Sequence, residues 1–495
     1  MKSQITRAAA ALALTALVAG CDNGNITDIN HSPNSPTTVT PQFLFPNAIT
    51  NVVGTIRGGS LDLTLTSLWS QQMAMDRFTD EDRYSIRPDN INGYWSGLYA
   101  GGLQDLATIL QQNKPEDAPN LVGPALVMKS FTFGAMTDIW GDIPYSEANT
   151  GDVSKPPKYD AQKDIYAGLD ADLKAASDML VAGAKSYGAA DLLYGGGANS
   201  WQNWKKFANS LRLRYAMRLS KVDPATAQSR AAAAVAAGVF TSNADNALLA
   251  YPGDGTNNSP IYQAFVTRDD QHVSKTLIDV LKSLYISTSG ADTTFDPRLA
   301  IYADPIQSSP TKPLYVGAPN GLQDDDAIAI GLTNTSRLGA AFRQPATKAI
   351  LETYAEVLFN EAEAAQRGWI PGDPAALYNA AITASMQYNH VPDNVTAAYI
   401  ASPRVAYNPA TGLQQIALQR WVALFQEGIE AYSEYRRTNV PDLKAGPAAI
   451  TTPSIVPRRL TYPISEQSFN NANLKAAMSA QGGADLTNRV WWDKQ

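Results

Sequence analysis

The sequence predicts a mostly α-helical protein in which helical hairpins are joined by long, loop-rich segments. Apolar residues recur every three or four positions in several segments, as they do on the buried face of an amphipathic helix. The composition includes 34 Gly and 30 Pro, which favour loops between such helices. With 495 residues, the chain is long enough for one large domain or for two or three closely packed ones.

The first 20 residues have the features of an export signal. Lys2 and Arg7 supply positive charge, and an uncharged apolar run follows at residues 8–19. The residues that end at Cys21, VAGC, resemble a lipobox, the sequence at which bacterial lipoproteins are cleaved and lipidated. This resemblance implies that residues 1–20 are a signal peptide and that Cys21, the only cysteine, carries the lipid. The alternative is that Cys21 is merely a small residue near the end of a signal or of a short buried helix.

A polar segment at residues 21–40 is rich in Asn, Pro and Thr and is typical of a flexible tether. A tether suits a lipid-anchored body, because each buried methylene contributes about 0.8 kcal/mol and two or three acyl chains hold a protein at a membrane. Asp22, directly after the cysteine, is compatible with an anchor at either the inner or the outer membrane. An aspartate there retains lipoproteins at the inner membrane in some bacteria, whereas acidic residues after the cysteine help surface export in others. The folded domain is expected over residues 41–495.

Three helices are predicted in the first half of the chain. Apolar residues recur with helical spacing over residues 161–183 and again over residues 201–221. An Asp-Pro pair ends the second helix and opens an alanine-rich helix over residues 223–237. Gly183 and Gly238 mark the ends of the first and third helices, because glycine is common just after a helix C-terminus.

The second half predicts further helical pairs. Residues 347–368 and 373–389 form a helical hairpin with a short Trp-Ile-Pro-Gly link, and Gly368 is a plausible C-cap of its first helix. Residues 413–438 supply a third helical pair with the same periodicity. Hairpins of this kind resemble degenerate tetratricopeptide repeats, although their spacing is irregular.

Long loop-rich stretches separate the helical pairs, at residues 240–275, 286–346 and 440–495. Loops of this length are either functional or disordered. Their aromatic and apolar residues favour ordered structure that faces a ligand.

Five segments carry a resemblance to a known family, namely MTDIWGDIPYSEA, KYDAQKDIYAGLDADL, WKKFANSLRLRYAMRLS, WVALFQEGIEAYSEYRRT and RRLTYPISEQSFNNAN. Together and in this order, they are similar to the SusD/RagB family of nutrient-binding outer-membrane lipoproteins, in its SusD-like second subgroup. The resemblance runs from the lipobox to the C-terminus. Any one of the segments alone would be a weak signal.

The resemblance implies a mostly α-helical fold with tetratricopeptide-like helices that pack against a SusC-like TonB-dependent transporter. It further implies a loop-rich surface that captures an oligosaccharide, or a peptide in some members, and delivers it to that transporter. Such a protein is expected to be lipid-anchored at the outer membrane, facing the cell exterior. It is not an enzyme and needs no cofactor.

The resemblance also places the ligand site near the loops of residues 70–102. This segment gathers several aromatic and cationic side chains: Arg77, Phe78, Tyr84, Arg87, Tyr94, Trp95 and Tyr99. Arg77, Tyr84 and Trp95 are the first candidates for ligand contact, because rings stack on the C–H faces of sugars while polar groups bind the hydroxyls. Trp95 and Tyr99 are also spaced as core contacts of a helix that starts near Asn92, and that alternative stays open.

Two further candidates, Tyr262 and Arg268, lie in the long loop that follows residues 251–260. Packing of the loop itself is an equally good explanation for both. Trp140, in contrast, is expected to be structural, because it precedes Gly141 in what resembles a tight, packed connection.

A surface glycoside hydrolase is the main alternative function, and a protein-binding tetratricopeptide-type scaffold is the other. Glu427, Glu430 and Glu434 lie on one helical face, whereas glycosidases need two carboxyl groups facing each other across a cleft. Arg436 and Arg437 lie close by, so a solvated or paired face is the simpler explanation for these glutamates.

Charge and ligand spacing exclude other classes. The net charge is −7 and no dense Lys/Arg run is present, which argues against nucleic-acid binding. One cysteine and three widely separated histidines do not form a transition-metal motif, so no metal is assigned. The acidic run at residues 324–326 offers oxygen ligands for calcium, but acidic loops are usually solvated.

Overall fold

The computed structural model describes residues 39–58, 61–152, 154–285, 287–289, 292–307 and 313–494. Cys21, the predicted signal peptide and nearly all of the predicted tether lie outside these residues. α-Helices dominate the described part, which confirms the predicted fold class. None of the helices in the described ranges is long and apolar enough to span a membrane.

Helices form most of the N-terminal half. They are α1 (Pro41–Ile56), α2 (Ser67–Trp69), α3 (Pro88–Ser96), α4 (Gln104–Gln112), α5 (Pro119–Trp140), α6 (Gln162–Met179), α7 (Ser200–Arg218) and α8 (Pro224–Ala237). A π-helical turn at Gly97–Leu103 joins α3 to α4. Helices α4 to α8 each pack against the next one along the chain, and α5 is buried along nearly its whole length.

The C-terminal half adds shorter helices and a second set of packed pairs. Its helices are α9 (Pro260–Thr267), α10 (Lys275–Leu284), α11 (Leu299–Tyr302), α12 (Asp324–Ile330), α13 (Tyr354–Gln366), α14 (Pro374–Tyr388), α15 (Asp393–Ile400), α16 (Gly412–Ala423), α17 (Gly428–Thr438), α18 (Ile464–Phe469) and α19 (Asn471–Ala480). Helix α13 packs against α14 and α16, and α17 packs against α5. The two helical sets therefore meet in one large core, and α13 to α16 also enclose a second, smaller hydrophobic cluster.

Among the residues that the structure describes, three small antiparallel sheets lie within the long connections. Their strands are β1 (Met73–Met75), β2 (Ala247–Leu249), β3 (Gln271–Val273), β4 (Ser287–Ser289), β5 (Asp292–Thr294) and β6 (Ala349–Glu352). Strand β1 pairs with β3, β2 with β6, and β4 with β5. The first two sheets each join segments that are far apart in sequence, so the predicted loop-rich stretches are fastened to the helical body by strand pairing.

The predicted helix at residues 347–368 begins later than its periodicity suggested. Residues 349–352 form β6 and pair with β2 instead. Helix α13 then starts after Thr353, whose Oγ1 accepts a hydrogen bond from the Glu356 N–H at 3.3 Å. A backbone ladder to a distant strand and a threonine N-cap therefore outweigh the local helical pattern.

The predicted helix at residues 161–183 ends earlier, at Met179. Asn120 on α5 binds the chain just beyond this point. Its Oδ1 accepts from the Val181 N–H at 3.1 Å, and its Nδ2 donates to the Val181 carbonyl at 2.8 Å. Because a tertiary contact satisfies both backbone groups, Gly183 is not needed as a C-cap.

The predicted helical pair at residues 413–438 corresponds to α16 and α17. Gln426 adopts φ +71°, in the left-handed region, and α17 restarts at Gly428. A Cβ atom at Gly428 would lie 2.0 Å from Asp62 Oδ1, so no side chain fits there. The close approach of α17 to residue 62 therefore requires the break.

A network of buried ion pairs lies where α5, α7, α13 and α17 meet. Six carboxyl groups and three guanidinium groups take part, from Asp62, Asp138, Glu352, Glu356, Glu427, Glu430, Arg57, Arg214 and Arg218. A second group joins Arg420 and Arg437 to Glu363 and Glu434. The glutamates of α17 are thus paired, as one alternative predicted, but they lie inside the protein rather than on a solvated face.

Candidate functional site

A surface cavity of about 430 Å³ lies beside the sheet formed by β1 and β3. We call it the Phe78 pocket and define it by its lining residues: Thr64, Met75, Phe78, Glu81, Arg87, Asn90, Ala264, Phe265, Arg268, Asp270 and Gln271. The strand pairing brings its two halves together. Met75 lies opposite Gln271, and the Asp76 N–H donates to the Asp270 carbonyl at 2.8 Å.

Phe78 supplies an aromatic surface to the pocket. The residue is 50% exposed, and its φ of +53° lies in a region that bulky residues rarely adopt. Its backbone N–H donates to Asp324 Oδ1 at 2.5 Å, at the start of α12. This contact helps to hold Phe78 in an unusual backbone conformation, and such conformations are concentrated at binding and active sites.

Arg268 lies against the Phe78 ring. Its guanidinium carbon is 4.4 Å from the ring centroid, which is within the range of a cation–π interaction. Its Nε also lies 2.5 Å from Asp270 Oδ2. The guanidinium is therefore held by a ring and a carboxylate, while more than half of the side chain stays exposed to a ligand.

Polar groups from α3 and the loop before it form another side of the pocket. Asn90 Nδ2 donates to Glu81 Oε1 at 3.4 Å, and Arg87 Nε lies 3.9 Å from the same oxygen. Burial raises the pKa of the Glu81 carboxyl, while the Arg87 charge opposes this shift. The wall thus presents donors and acceptors beside the aromatic surface.

This arrangement suits the binding of a sugar. A ring stacks on the apolar C–H face of a pyranose, and neighbouring amide, carboxyl and guanidinium groups bind its hydroxyls. Calcium binding at the acidic run gains no support. Asp324 already accepts the Phe78 N–H, and the described residues contain no cluster of His, Cys, Asp or Glu suited to a metal ion.

Three of the candidates from the sequence lie at or near this pocket. Arg268 lines it, and Arg77 is exposed directly before Phe78 in the chain. Tyr262 is partly buried on α9, which also carries the lining residues Ala264 and Phe265, but Tyr262 itself does not line the cavity.

Tyr84 and Trp95 require a correction, because both lie in the hydrophobic core. Tyr84 is 2% exposed and packs edge-on to Trp69, with ring centroids 6.4 Å apart. Trp95 is 6% exposed, and its ring centroid lies 4.9 Å from that of Tyr99 and 5.3 Å from that of Trp140. Neither ring presents a free face to a ligand, so we leave both out of the proposed site. The core alternative for Trp95 is the one that the structure favours.

The helix that carries Trp95 also starts earlier than predicted. Helix α3 begins at Pro88 rather than near Asn92, because proline is favoured in the first turn of a helix. Trp140, expected to be structural, is fully buried. Gly141 follows it with φ +79°, which supports the interpretation as a tight connection.

The segment that carries Phe78 was named from the sequence, but Phe78 was not chosen among its first candidates. Phe78 and Arg87 were both in the gathered group at residues 70–102, whereas Asn90 and Gln271 were not considered. Phe78 is a single aromatic residue among charged neighbours, just after an apolar strand. That signal separates Phe78 from Trp95, which lies near Tyr94 and Tyr99, but not from Tyr84, which also has charged neighbours.

The glutamates weighed for a hydrolase do not face a cleft. Glu427, Glu430 and Glu434 are all buried and lie within 4 Å of arginine nitrogens in the interior. A glycosidase needs its two carboxyl groups to reach a bound sugar from both sides. These three side chains are therefore not placed to act on a substrate at the surface.

Comparison with known proteins identifies the family that the chain resembles along most of its length. A family model named SusD-like_2 and described as "Starch-binding associating with outer membrane" matches residues 33–463. The match spans most of the chain. None of the curated proteins compared with the chain matches it.

Solved structures show the same similarity. A chitin-binding protein shares 30% identity at a TM-score of 0.80, with 92% of this chain and all of that chain covered. A chitin-binding SusD homologue from Flavobacterium johnsoniae shares 26% identity at a TM-score of 0.78, with 91% and 99% covered. A SusD homologue from Parabacteroides distasonis, at 21% identity and a TM-score of 0.81, covers 92% and 98% and supports the fold alone.

Proposed function

The chain belongs to the SusD-like family, and from this we propose that it is a lipid-anchored receptor at the outer membrane that captures an oligosaccharide. The ligand enters the Phe78 pocket and is passed to a SusC-like TonB-dependent transporter. No bond of the ligand is broken. Peptides remain the second ligand class, because a polar pocket with one exposed ring also suits an extended peptide.

The observation that carries this proposal is the half-exposed Phe78 ring beside Arg268 in an open cavity of about 430 Å³. Phe43 and Phe469 are more exposed than Phe78, so exposure alone does not mark a site. Phe78 differs because it lines an open cavity beside a guanidinium and has a backbone conformation of the kind concentrated at functional sites. The similarity to chitin-binding structures supports a polysaccharide fragment as the ligand. Chitin and starch oligosaccharides are therefore the first probes.

Replacing Phe78 by alanine is expected to weaken oligosaccharide binding about tenfold or more. The change removes the stacking surface. Tenfold corresponds to about 1.4 kcal/mol, which is close to the lower end of the range for burying one large apolar side chain. Isothermal titration calorimetry with chitin hexaose and maltohexaose measures the dissociation constant of each variant. The stability of Phe78→Ala should stay close to that of the unchanged protein, because the ring is half exposed.

Phe43→Ala is the matched control for this experiment. Phe43 is 72% exposed on α1 and does not line the pocket, so its removal should leave affinity unchanged. Equal affinity of Phe78→Ala and the unchanged protein would contradict the proposed pocket. Release of shorter sugars during the titration would instead support the hydrolase alternative, and the absence of binding to any sugar or peptide would support the scaffold.

Replacing Cys21 by alanine is expected to remove the lipid and to move the protein from the membrane fraction to the periplasmic fraction. A thioether-linked diacylglycerol needs the cysteine sulfur, and no other cysteine is present in the chain. Cell fractionation followed by mass spectrometry of the N-terminal peptide measures both effects. An unmodified Cys21 in the unchanged protein would contradict lipid anchoring. Co-purification of the transporter with the lipidated protein, from outer membranes solubilised in detergent, tests the proposed partner.

A further inference from the structure

The two halves of the Phe78 pocket are joined behind the cavity by a buried histidine. In the β1–β3 sheet, Ala74 lies opposite His272. The chain leaving β1 leads directly to Phe78, and the chain entering β3 comes directly from Arg268. Any group that holds these two chain segments together also fixes the distance between the Phe78 ring and the Arg268 guanidinium.

The His272 imidazole is fully buried between two carboxyl groups. Its Nδ1 lies 2.8 Å from Asp76 Oδ2 and 2.7 Å from Thr335 Oγ1, while the Thr335 hydroxyl donates to Asp76 Oδ2 at 2.7 Å. Its Nε2 lies 3.7 Å from Asp269 Oδ1. That distance is too long for a direct hydrogen bond but short enough for strong attraction between opposite charges in a buried site.

The neighbours of the ring determine its charge. Nδ1 must donate, because the Asp76 carboxylate can only accept and the Thr335 hydroxyl already donates to Asp76. A neutral ring would then turn the lone pair of Nε2 towards the Asp269 carboxylate, which is repulsive. A doubly protonated ring removes that repulsion and neutralises one of the two acids.

We propose that His272 is a positioning residue of the Phe78 pocket: as an imidazolium clasped between Asp76 and Asp269, it holds the segment of Arg268 against the segment of Phe78. This inference rests on the proposed ligand pocket and adds a residue that does not itself touch the cavity. Asp76 continues the strand that leads to Phe78. Asp269 is the direct neighbour of Arg268. The position of the His272 imidazole therefore determines, through these two carboxylates, where Phe78 and Arg268 lie.

We call His272, Asp76 and Asp269 the clasp. Other charged groups around it also favour the doubly protonated state of His272. Arg337 Nε lies 2.6 Å from Asp269 Oδ2, which keeps that carboxylate ionised beside the imidazolium. Asp82 lies near Asp76 and accepts from the Asn320 side chain and the Gly321 N–H. Burial alone would lower the pKa of His272, but the carboxylates of Asp269 and Asp76 outweigh it and raise the pKa to about 9.

The first test measures the protonation of His272 and the hydrogen exchange of the two joined segments, without a ligand. Two-dimensional ¹⁵N NMR of the histidine side chains in the full-length protein should show His272 doubly protonated at pH 8. In the His272→Gln variant, hydrogen exchange should become faster at residues 76–78 and 268–271. A neutral His272 at pH 8, or unchanged exchange in these segments, would overturn the inference whether or not any sugar binds.

The second test measures the pocket. Affinity for the oligosaccharide bound by the unchanged protein should fall about tenfold in His272→Gln. Affinity of the unchanged protein should also fall as the pH rises through about 9, where the imidazolium loses its proton, and His272→Gln should lack this step. His390→Gln is the matched control and should keep both the affinity and the pH step. If the unchanged protein binds no oligosaccharide, the proposed function fails, and the NMR and exchange results still decide the clasp.

Discussion

Replacing Arg214 by methionine is expected to destabilise the fold by about 3–5 kcal/mol, the usual effect of removing one partner from a buried ion pair. Arg214 is the centre of the buried network. Its Nε and Nη2 bind the two carboxyl oxygens of Glu356 at 2.7 and 2.5 Å, and Nη2 also donates to the Leu351 carbonyl at 2.9 Å. Three more carboxyl groups lie within 4 Å of it: Glu352, Glu427 and Glu430.

Methionine fills most of the arginine volume. The loss of stability in Arg214→Met therefore comes mainly from the missing charge rather than from a cavity. Without Arg214, these carboxyl groups face each other in a buried site with too few cations. The midpoint of urea unfolding at pH 7, measured by circular dichroism, gives the size of the effect. Lys174→Ala is the control, because Lys174 pairs with Asp178 on the surface of α6 and its loss should change stability by at most about 0.5 kcal/mol. A shift no larger than that of the control would contradict a structural role for the network.

Between pH 5 and pH 8, we expect the free energy of unfolding to decrease as the pH rises. Burial raises the pKa of both Glu352 and Glu427 well above its usual value, and neighbouring glutamates add to the effect while Arg214 opposes it. Neither carboxyl group has a hydrogen-bond partner among the described residues. Burial also raises the pKa of Glu434 to about 7, against the charge of Arg420.

Stability decreases with pH because the native state binds more protons than the unfolded state in this range. In the unfolded chain these glutamates lose their protons near pH 4.5, whereas in the native protein they keep them to higher pH. The native state therefore binds more protons across this window. Stability that is fully present below pH 4.5 is lost as the pH rises, by about 1.4 kcal/mol per pH unit for each retained proton. Glu430 adds no slope here, since its pKa is lowered to about 2 and it is ionised in both states.

Urea unfolding at pH 5, 6, 7 and 8 measures this slope directly. In Glu352→Gln, the free energy of unfolding should decrease with pH less steeply, by about 1.4 kcal/mol per pH unit, the contribution of one proton. The amide is neutral at every pH and has nearly the same shape as the protonated acid. Glu116→Gln is the matched control at an exposed position and should leave the slope unchanged. A stability that rises from pH 5 to pH 8, or equal slopes in the two variants, would contradict protonated glutamates in the core.

The helical class and most helices could be predicted from the chain alone. The helices predicted at residues 201–221, 223–237 and 373–389 match α7, α8 and α14 closely, because each combines a helical period with local start or stop signals. Their ends lie next to capping residues such as Asp223 and Asp373, whose side chains accept backbone N–H groups of the first turn. Local signals suffice where no distant segment competes.

The segment that carries the proposed pocket was named from the sequence, but its exposed ring was not singled out. Tyr84, Trp95 and Phe78 all occur within one short segment of similar composition, yet only Phe78 is half exposed. What separates them is contact with distant residues: Trp69 and Trp140 cover the first two rings, whereas Asp324 binds the backbone of the third. Burial of an aromatic ring depends on what packs over it, and spacing along one segment does not contain that information.

The sequence by itself determined the helical periods, their local caps and the lipobox at Cys21, because each depends on residues that are close together along the chain. It also determined the family resemblance, which depends on the order of several such segments. Only the tertiary structure decided which ring is exposed, where α16 and α17 divide, and how His272 joins Asp76 to Asp269. These features depend on contacts between segments that are not adjacent along the chain, such as Phe78 with Asp324 and His272 with Asp76. The free energy of such contacts comes from burial and charge pairing that exist only once the chain has folded.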